Sequence, residues 1–210
     1  MSRPRIASPP STRTGRSGSS TRWDLLKILA ATLTGMSVDE FNAEAKKWLA
    51  TAKDPRWDRL YTELTYQPML EVMQYLRDNG FKTYIVTGGG QDFVRVYSER
   101  VYGIPPEQVV GTAGGTKYGY EKDGKPFLTK EPKLLLNDDH AGKPEGIHLI
   151  IGRRPSAFGN STGDQQMLEY TKAGEGARLA MLVFHDEAKK DGWIVISMKN
   201  DWKRIFAFEN

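Results

Sequence analysis

Apolar residues recur at helical spacing from Trp23 onward: Leu25, Leu26, Ile28, Leu29 and Leu33 form a stripe that Gly35 stops. Ser37-Val38-Asp39-Glu40 is a capping box opening a second helix, with Phe41, Ala45, Trp48 and Leu49 on one face. The pair predicts an antiparallel helical hairpin, ended by the Lys53-Asp54-Pro55-Arg56 break. Gln67-Pro68 places proline in the first turn of a third helix carrying Met69, Leu70, Val72, Met73 and Leu76, which Asn79-Gly80 closes. Phe81 to Val86 predicts a strand that runs into Thr87-Gly88-Gly89-Gly90 and then a helix with Phe93, Val94, Tyr97 and Val101.

Further along, Val109 and Val110 predict a short strand, and apolar runs on both sides of Asp123-Gly124 predict a hairpin. Leu134 to Leu136 leads into the polar loop Asn137-Asp138-Asp139-His140. Lys143 then opens a helix in which Ile147, Ile150 and Ile151 recur at helical spacing, and Arg153-Arg154-Pro155 closes it. Ala157 and Phe158 end a buried strand before Gly159-Asn160-Ser161-Thr162-Gly163-Asp164. A helix (Met167, Leu168, Tyr170), a strand from Leu179 to Phe184, a short charged helix, a strand from Trp193 to Ser197 and an aromatic C-terminal stretch complete the chain. Helices alternating with strands predict an α/β fold: a Rossmann-like parallel sheet flanked by helices, with a small helical cap and a β-hairpin.

Composition narrows the chemistry. At 210 residues, one domain with a small cap fits the length, and the absence of cysteine excludes disulfides, thiolate catalysis and Cys-ligated zinc. His140, His148 and His185 lie too far apart to show metal-ligand spacing and are expected to be surface or packing residues. The net charge of +4 invites a nucleic-acid reading. Its location argues against one: residues 1–22 hold five arginines and no acid, and the rest of the chain carries 25 basic against 26 acidic residues.

Met1 to Thr21 is rich in Ser, Arg, Pro, Thr and Gly, so it is expected to be a disordered tail. It lacks the apolar core of a secretory signal, and no stretch of the sequence has membrane length, which leaves the cytoplasm as the default location. An organelle transit peptide, or translation from a wrong start or frame in GC-rich DNA, would give similar composition.

Two stretches carry candidate chemistry. Strand, Thr87-Gly88-Gly89-Gly90 and helix N-terminus together could bind an anion, since free backbone N–H groups and the helix dipole point at the turn; a tight turn with no ligand has the same signature. Gly142 to Met167 sets Lys143 on one side and Asn160, Ser161 and Asp164 on the other, hard oxygen donors of the kind Mg²⁺ takes. A lysine and a carboxylate so placed suit a phosphate bound with a metal. Asp138 and Asp139 could also touch a metal, but a solvated loop is the expected role.

Thr87 after a strand, Lys143 at a helix start and GNSTGDQQM after another strand resemble the second, third and fourth motifs of the haloacid dehalogenase superfamily. The match is closer to its phosphoserine-phosphatase-like hydrolases with a helical cap and spans roughly Trp23 to Asn210. The resemblance implies a Mg²⁺-dependent phosphatase acting on a small phosphorylated metabolite through an aspartyl-phosphate. Thr87, with Gly88 and Gly89, would then bind the phosphoryl group, Lys143 would offset its charge, and Asp164 and Asn160 would hold Mg²⁺. The division it implies is a tail over 1–22, a cap remnant over 23–66 and an α/β core over 67–210.

One departure is large. The family's first motif, an apolar strand ending in Asp-x-Asp-Gly-Thr, supplies the nucleophile and the general acid/base and forms the central strand of the sheet; this sequence does not contain it. Asp24 lies inside a helical stripe. The chain is therefore expected to be an N-terminally truncated or misread phosphatase with its junction near residues 20 to 23, inactive or impaired, with Phe184 to Asp191 a possible second deletion. The alternative is a non-catalytic module that binds phosphate or a phosphometabolite. Substrate and oligomeric state are not legible.

Overall fold

The computed structural model describes residues 35–184 and 194–209. The predicted helix from Trp23 and the short charged helix after Phe184 lie outside these residues. Helix α1 (Val38–Thr51) starts as its capping box requires: Ser37 Oγ accepts from the Glu40 amide at 3.1 Å, and Glu40 Oε2 accepts from the Ser37 amide at 2.8 Å. The break after it folds into two paired strands, β1 (Lys53–Asp54) and β2 (Arg59–Leu60), around Asp54, whose Oδ1 accepts from the amides of Arg56 and Trp57. Helix α2 (Gln67–Asp78) has Pro68 in its first turn and buries Met69 and Met73.

Strand β3 is Ile85–Gly90, displaced from the predicted Phe81–Val86. Pairing with the next strand begins only at Ile85↔Val109, which leaves Phe81 61% exposed. The glycines are therefore the end of the strand, with a register shift between Thr87 and Gly90, and helix α3 (Gln91–Tyr102) follows directly. Strand β4 (Val109–Tyr120) is far longer than the predicted Val-Val pair: it runs parallel to β3 up to Thr112, then pairs antiparallel with β5 (Pro126–Leu136) from Ala113. The Asp123-Gly124 hairpin forms as predicted, with Gly124 at φ +86°. Residues 35 and 36 bind the outer edge of β5 through the Gly35 amide to the Lys130 carbonyl and the Lys130 amide to the Met36 carbonyl.

Helix α4 (Gly142–Ile151), strand β6 (Ala157–Gly159), helix α5 (Gln165–Lys172), strand β7 (Ala180–Phe184) and strand β8 (Ile194–Ser197) follow, with β6, β7 and β8 mutually parallel. The sheet orders are β3-β4-β5 and β6-β7-β8. Both sheets feed the same two cores. Ile85, Val109, Phe158 and Val183 pack in one, and Val86, Val110, Ala157 and Leu182 in the other, so the two sheets form one layer with helices on both faces. The aromatic C-terminal stretch closes the first core: Phe206 meets Trp57 edge-on at 5.6 Å, and the Gln67 amide donates to the Ile205 carbonyl. No helix among the described residues is long and apolar enough to cross a membrane.

Candidate functional site

The C-terminal ends of strands β3 and β6 are joined through Lys143, which reaches the Val86 carbonyl and Asp164, and three loops meet there. Thr87 is the last residue of β3 before the bulge, buried, with its Oγ1 accepting from the Gly89 amide at 3.1 Å. That bond satisfies one N–H of the glycine run within the turn and leaves the Thr87 hydroxyl proton available to donate. Gly88 contributes its carbonyl, which accepts from Thr112 Oγ1 at 3.0 Å; the same hydroxyl accepts from the Asp138 amide at 3.1 Å. Thr112 thus ties β3 to the loop before α4, a role without a sequence signature.

Lys143 enters from the first turn of α4. Its Nζ donates to the Val86 carbonyl at 2.9 Å and lies 3.2 Å from Asp164 Oδ1. Both side chains are buried, at 3% and 1% exposure. The turn that places Lys143 requires glycine before it, because a Cβ on Gly142 would sit 1.7 Å from the Asn137 carbonyl oxygen. Asp164 ends a single turn over Thr162–Asp164. Its Oδ2 accepts from the amides of Asn160 (2.9 Å) and Ser161 (3.0 Å) and from Ser161 Oγ (3.1 Å). Oδ1 is in ion-pair contact with Lys143 but outside hydrogen-bonding geometry. Asp164 therefore shapes its loop with one oxygen and presents the other to the site.

Asp138 does not sit in a solvated loop: its side chain is fully buried, and neither carboxylate oxygen meets a hydrogen-bond partner at good geometry among the described residues. Burial raises its pKa to about 8; the Lys143 charge and the Thr87 backbone pull it down, and Asp139 and Asp164 push it up. Asp139 lies between the other two loops, with Oδ1 3.3 Å from where a Cβ on Gly88 would be and 2.9 Å from where one on Gly163 would be. An acidic pair in a short polar loop carries no periodicity, so burial of its first member could have been inferred only from tightness of the turn, for which Gly142 and Gly146 are the signal.

The structure thus brings together Thr87, Gly88, Lys143 and Asp164, and adds Asp138, Asp139 and Thr112. Asn160 lies on the same loop as Asp164, with its Oδ1 buried and without a hydrogen-bond partner. Gly89 is engaged with Thr87. His140 and His148 are exposed, and His185 lies outside the described residues. No group of three or more His, Asp or Glu positioned to hold a metal occurs among the described residues. Two buried oxygens without hydrogen-bond partners, Asn160 Oδ1 and Asp164 Oδ1, nonetheless fit a hard cation that takes few protein ligands and completes its shell from water and phosphate.

The profile of the haloacid dehalogenase-like hydrolases matches residues 4–169. No curated protein matches the chain. Among solved structures, a conserved protein of unknown function from Anaerococcus prevotii DSM 20548 aligns with a TM-score of 0.53 at 18% identity, over 75% of this chain and 46% of its own. The chain thus spans less than half of that relative, and the likeness is one of fold. A phosphoserine phosphohydrolase-like protein from Francisella tularensis subsp. tularensis SCHU S4 aligns with a TM-score of 0.41 at 18% identity, over 78% of this chain and 74% of its own. With the family profile covering most of its length and an α/β fold to match, the chain belongs to the haloacid dehalogenase-like hydrolase family.

Proposed function

We propose that this site binds the phosphoryl group of a small phosphomonoester together with Mg²⁺, as in a phosphatase of this family, and that hydrolysis is absent or impaired. The observation that carries the proposal is Lys143 Nζ, which joins the end of β3 through the Val86 carbonyl to the loop after β6 through Asp164. Thr87 would donate its hydroxyl to a phosphoryl oxygen, and Lys143 would offset anionic charge from beneath. Asp164 Oδ1 and Asn160 Oδ1 would hold Mg²⁺, which when bound would neutralise phosphoryl oxygens. Since Asn160 supplies an oxygen without charge, metal affinity should be lower than with two carboxylates.

Hydrolysis in the family manner needs a carboxylate nucleophile and a general acid/base from a motif this sequence does not contain. Helix α1 and the segment to residue 66 would act as the cap that selects the substrate.

The test is thermal unfolding of the full chain with Mg²⁺, inorganic phosphate and both, alongside p-nitrophenyl phosphate turnover. A melting point that rises with both ligands in the parent chain, and in neither Thr87→Val nor Lys143→Met, is the expected result. No ligand-dependent rise would sink the proposal. The absent motif also favours a second reading, a non-catalytic phosphometabolite-binding module: ligand-dependent stabilisation with zero turnover selects it, whereas turnover lost on Lys143 substitution selects the hydrolase.

A further inference from the structure

A cleft of about 820 Å³ opens beside the approach to β3, the end of α4 and the approach to β7. Leu76, Ile151 and Leu179, all half-buried, and the exposed ring of Phe81 form its wall. Leu76 and Leu179 pack against one core and Ile151 against the other, so the wall continues the apolar interior. The volume lies within the roughly 300–1,000 Å³ of sites that hold a small organic molecule.

Three cations, Lys82, Arg153 and Arg178, line the same cleft, and no acid does. All three are exposed, and none forms an ion pair among the described residues. Their neighbour Arg154 differs: its guanidinium lies 4.3 Å from the centre of the Tyr170 ring and donates to the Tyr170 carbonyl, which fastens it to α5. Lys82 precedes β3, Arg153 precedes β6 and Arg178 precedes β7, whereas Thr87 lies inside β3 and Asp164 follows β6. The cations therefore gather where these strands begin, away from the phosphate-binding loops. An opening lined by charge of one sign over a low-dielectric wall focuses its field on an anion.

We propose that this cleft binds a free fatty acid, with the carboxylate among Lys82, Arg153 and Arg178 and the acyl chain along Leu76, Phe81, Ile151 and Leu179. The lining selects the class. Guanidinium groups hold a carboxylate through paired N–H donors, and a flexible acyl chain can follow a wall of aliphatic side chains and one ring. Apart from the cations, polar side-chain atoms come only from Tyr84 and Ser156, too few to read the several donors and acceptors of a nucleobase or a sugar. The chain's own residues 1–22 carry five arginines and no acid, so the cations would repel them. The inference is independent of Mg²⁺ or phosphate at the site above.

The test titrates the full chain with cis-parinaric acid, a fluorescent polyene fatty acid, below its aggregation concentration. Saturable enhancement that oleate displaces is the expected result. Arg153→Gln with Arg178→Gln should weaken binding about tenfold or more, and oleyl alcohol, which has the tail without the charge, should displace the probe about tenfold less well than oleate. Phe81→Ser should weaken binding through the tail. These side chains are exposed, so the variants should keep their fold, and unchanged melting points check this. Absence of saturable binding, as when the chain's own Leu25–Leu33 stripe or a second copy fills the cleft, overturns the proposal. So does full affinity in the arginine variant, or equal displacement by oleyl alcohol. Displacement by Mg²⁺ with inorganic phosphate would put the probe in the site above, and binding to phosphatidylserine vesicles without binding of the monomeric probe would make the patch a lipid-surface contact; either result also overturns it.

Discussion

Replacing Asp138 by asparagine keeps the shape of the side chain and removes its ionisable group. In the parent chain the buried carboxyl titrates at about 8 instead of 3.8, because burial disfavours its charged form more than Lys143 favours it. Between those two values the folded state holds a proton that the unfolded chain has released. Folding stability from this group is therefore fully present below pH 3.8 and is lost as pH rises towards 8.

The loss runs at about 1.4 kcal/mol per pH unit inside that window, so from pH 5 to pH 7 the parent should lose roughly 2–3 kcal/mol that Asp138→Asn keeps. For a chain of this size each kcal/mol moves the melting point by about 2–4 °C. Melting points of parent and variant, measured in parallel across this range, should separate by about 4–12 °C in favour of the variant as pH rises. The asparagine amide brings its own hydrogen-bonding demand, which shifts both ends of the comparison equally, so the slope carries the information and the offset does not. Two parallel curves would refute the reasoning, since Asp138 would then titrate alike in both states.

Removing Lys143 as Lys143→Ala should cost about 3–5 kcal/mol in urea unfolding, because Asp164 is left buried without its cation; Lys143→Met with Asp164→Asn, which removes both charges, should recover much of that loss. Asn160→Asp adds a carboxylate to the loop and should enlarge the Mg²⁺-dependent rise in melting point, and an unchanged rise would remove Asn160 from the ligand set. Gly146→Ala gains about 1 kcal/mol in helix propensity. Its Cβ would fall 2.6 Å from Asp138 Oδ1 and 2.9 Å from Val110 Cγ1, so net destabilisation is expected in the same unfolding assay.

The parts of the fold legible in the sequence are those decided by local chemistry. The Ser37–Glu40 capping box, Pro68 in a first turn and the Asp123-Gly124 hairpin all depend on neighbours within a few residues. Strand limits depend instead on a partner elsewhere. Phe81 and Lys82 have strand-like composition, yet the strand starts at Ile85 because that is where β4 begins to pair. Likewise β4 outruns Val109-Val110 because its second half, rich in glycine and polar residues, is held by β5 rather than by apolar burial. Within the site, Thr87, Lys143 and Asp164 stood out through order and spacing, whereas Thr112 and Asp138 owe their places to one tertiary hydrogen bond between Thr112 Oγ1 and the Asp138 amide.

That tertiary wiring changes the electrostatics a sequence alone would suggest. Lys143 reads as a free positive charge awaiting a phosphate, but in the fold it is matched by Asp164 at 3.2 Å. With Asp138 holding its proton below pH 8, the buried pair is neutral overall. A phosphate dianion brought to a dehydrated pocket with no net positive charge gains little Coulombic energy to offset its desolvation. A divalent cation on the oxygens of Asp164 and Asn160 would draw Asp164 into coordination and leave the ammonium free to face the anion. Phosphate and Mg²⁺ should accordingly bind with positive coupling, each raising the affinity for the other by the same factor. Titrating phosphate at several fixed Mg²⁺ concentrations measures that factor, and equal phosphate affinity with and without metal would show that Lys143 alone supplies the charge.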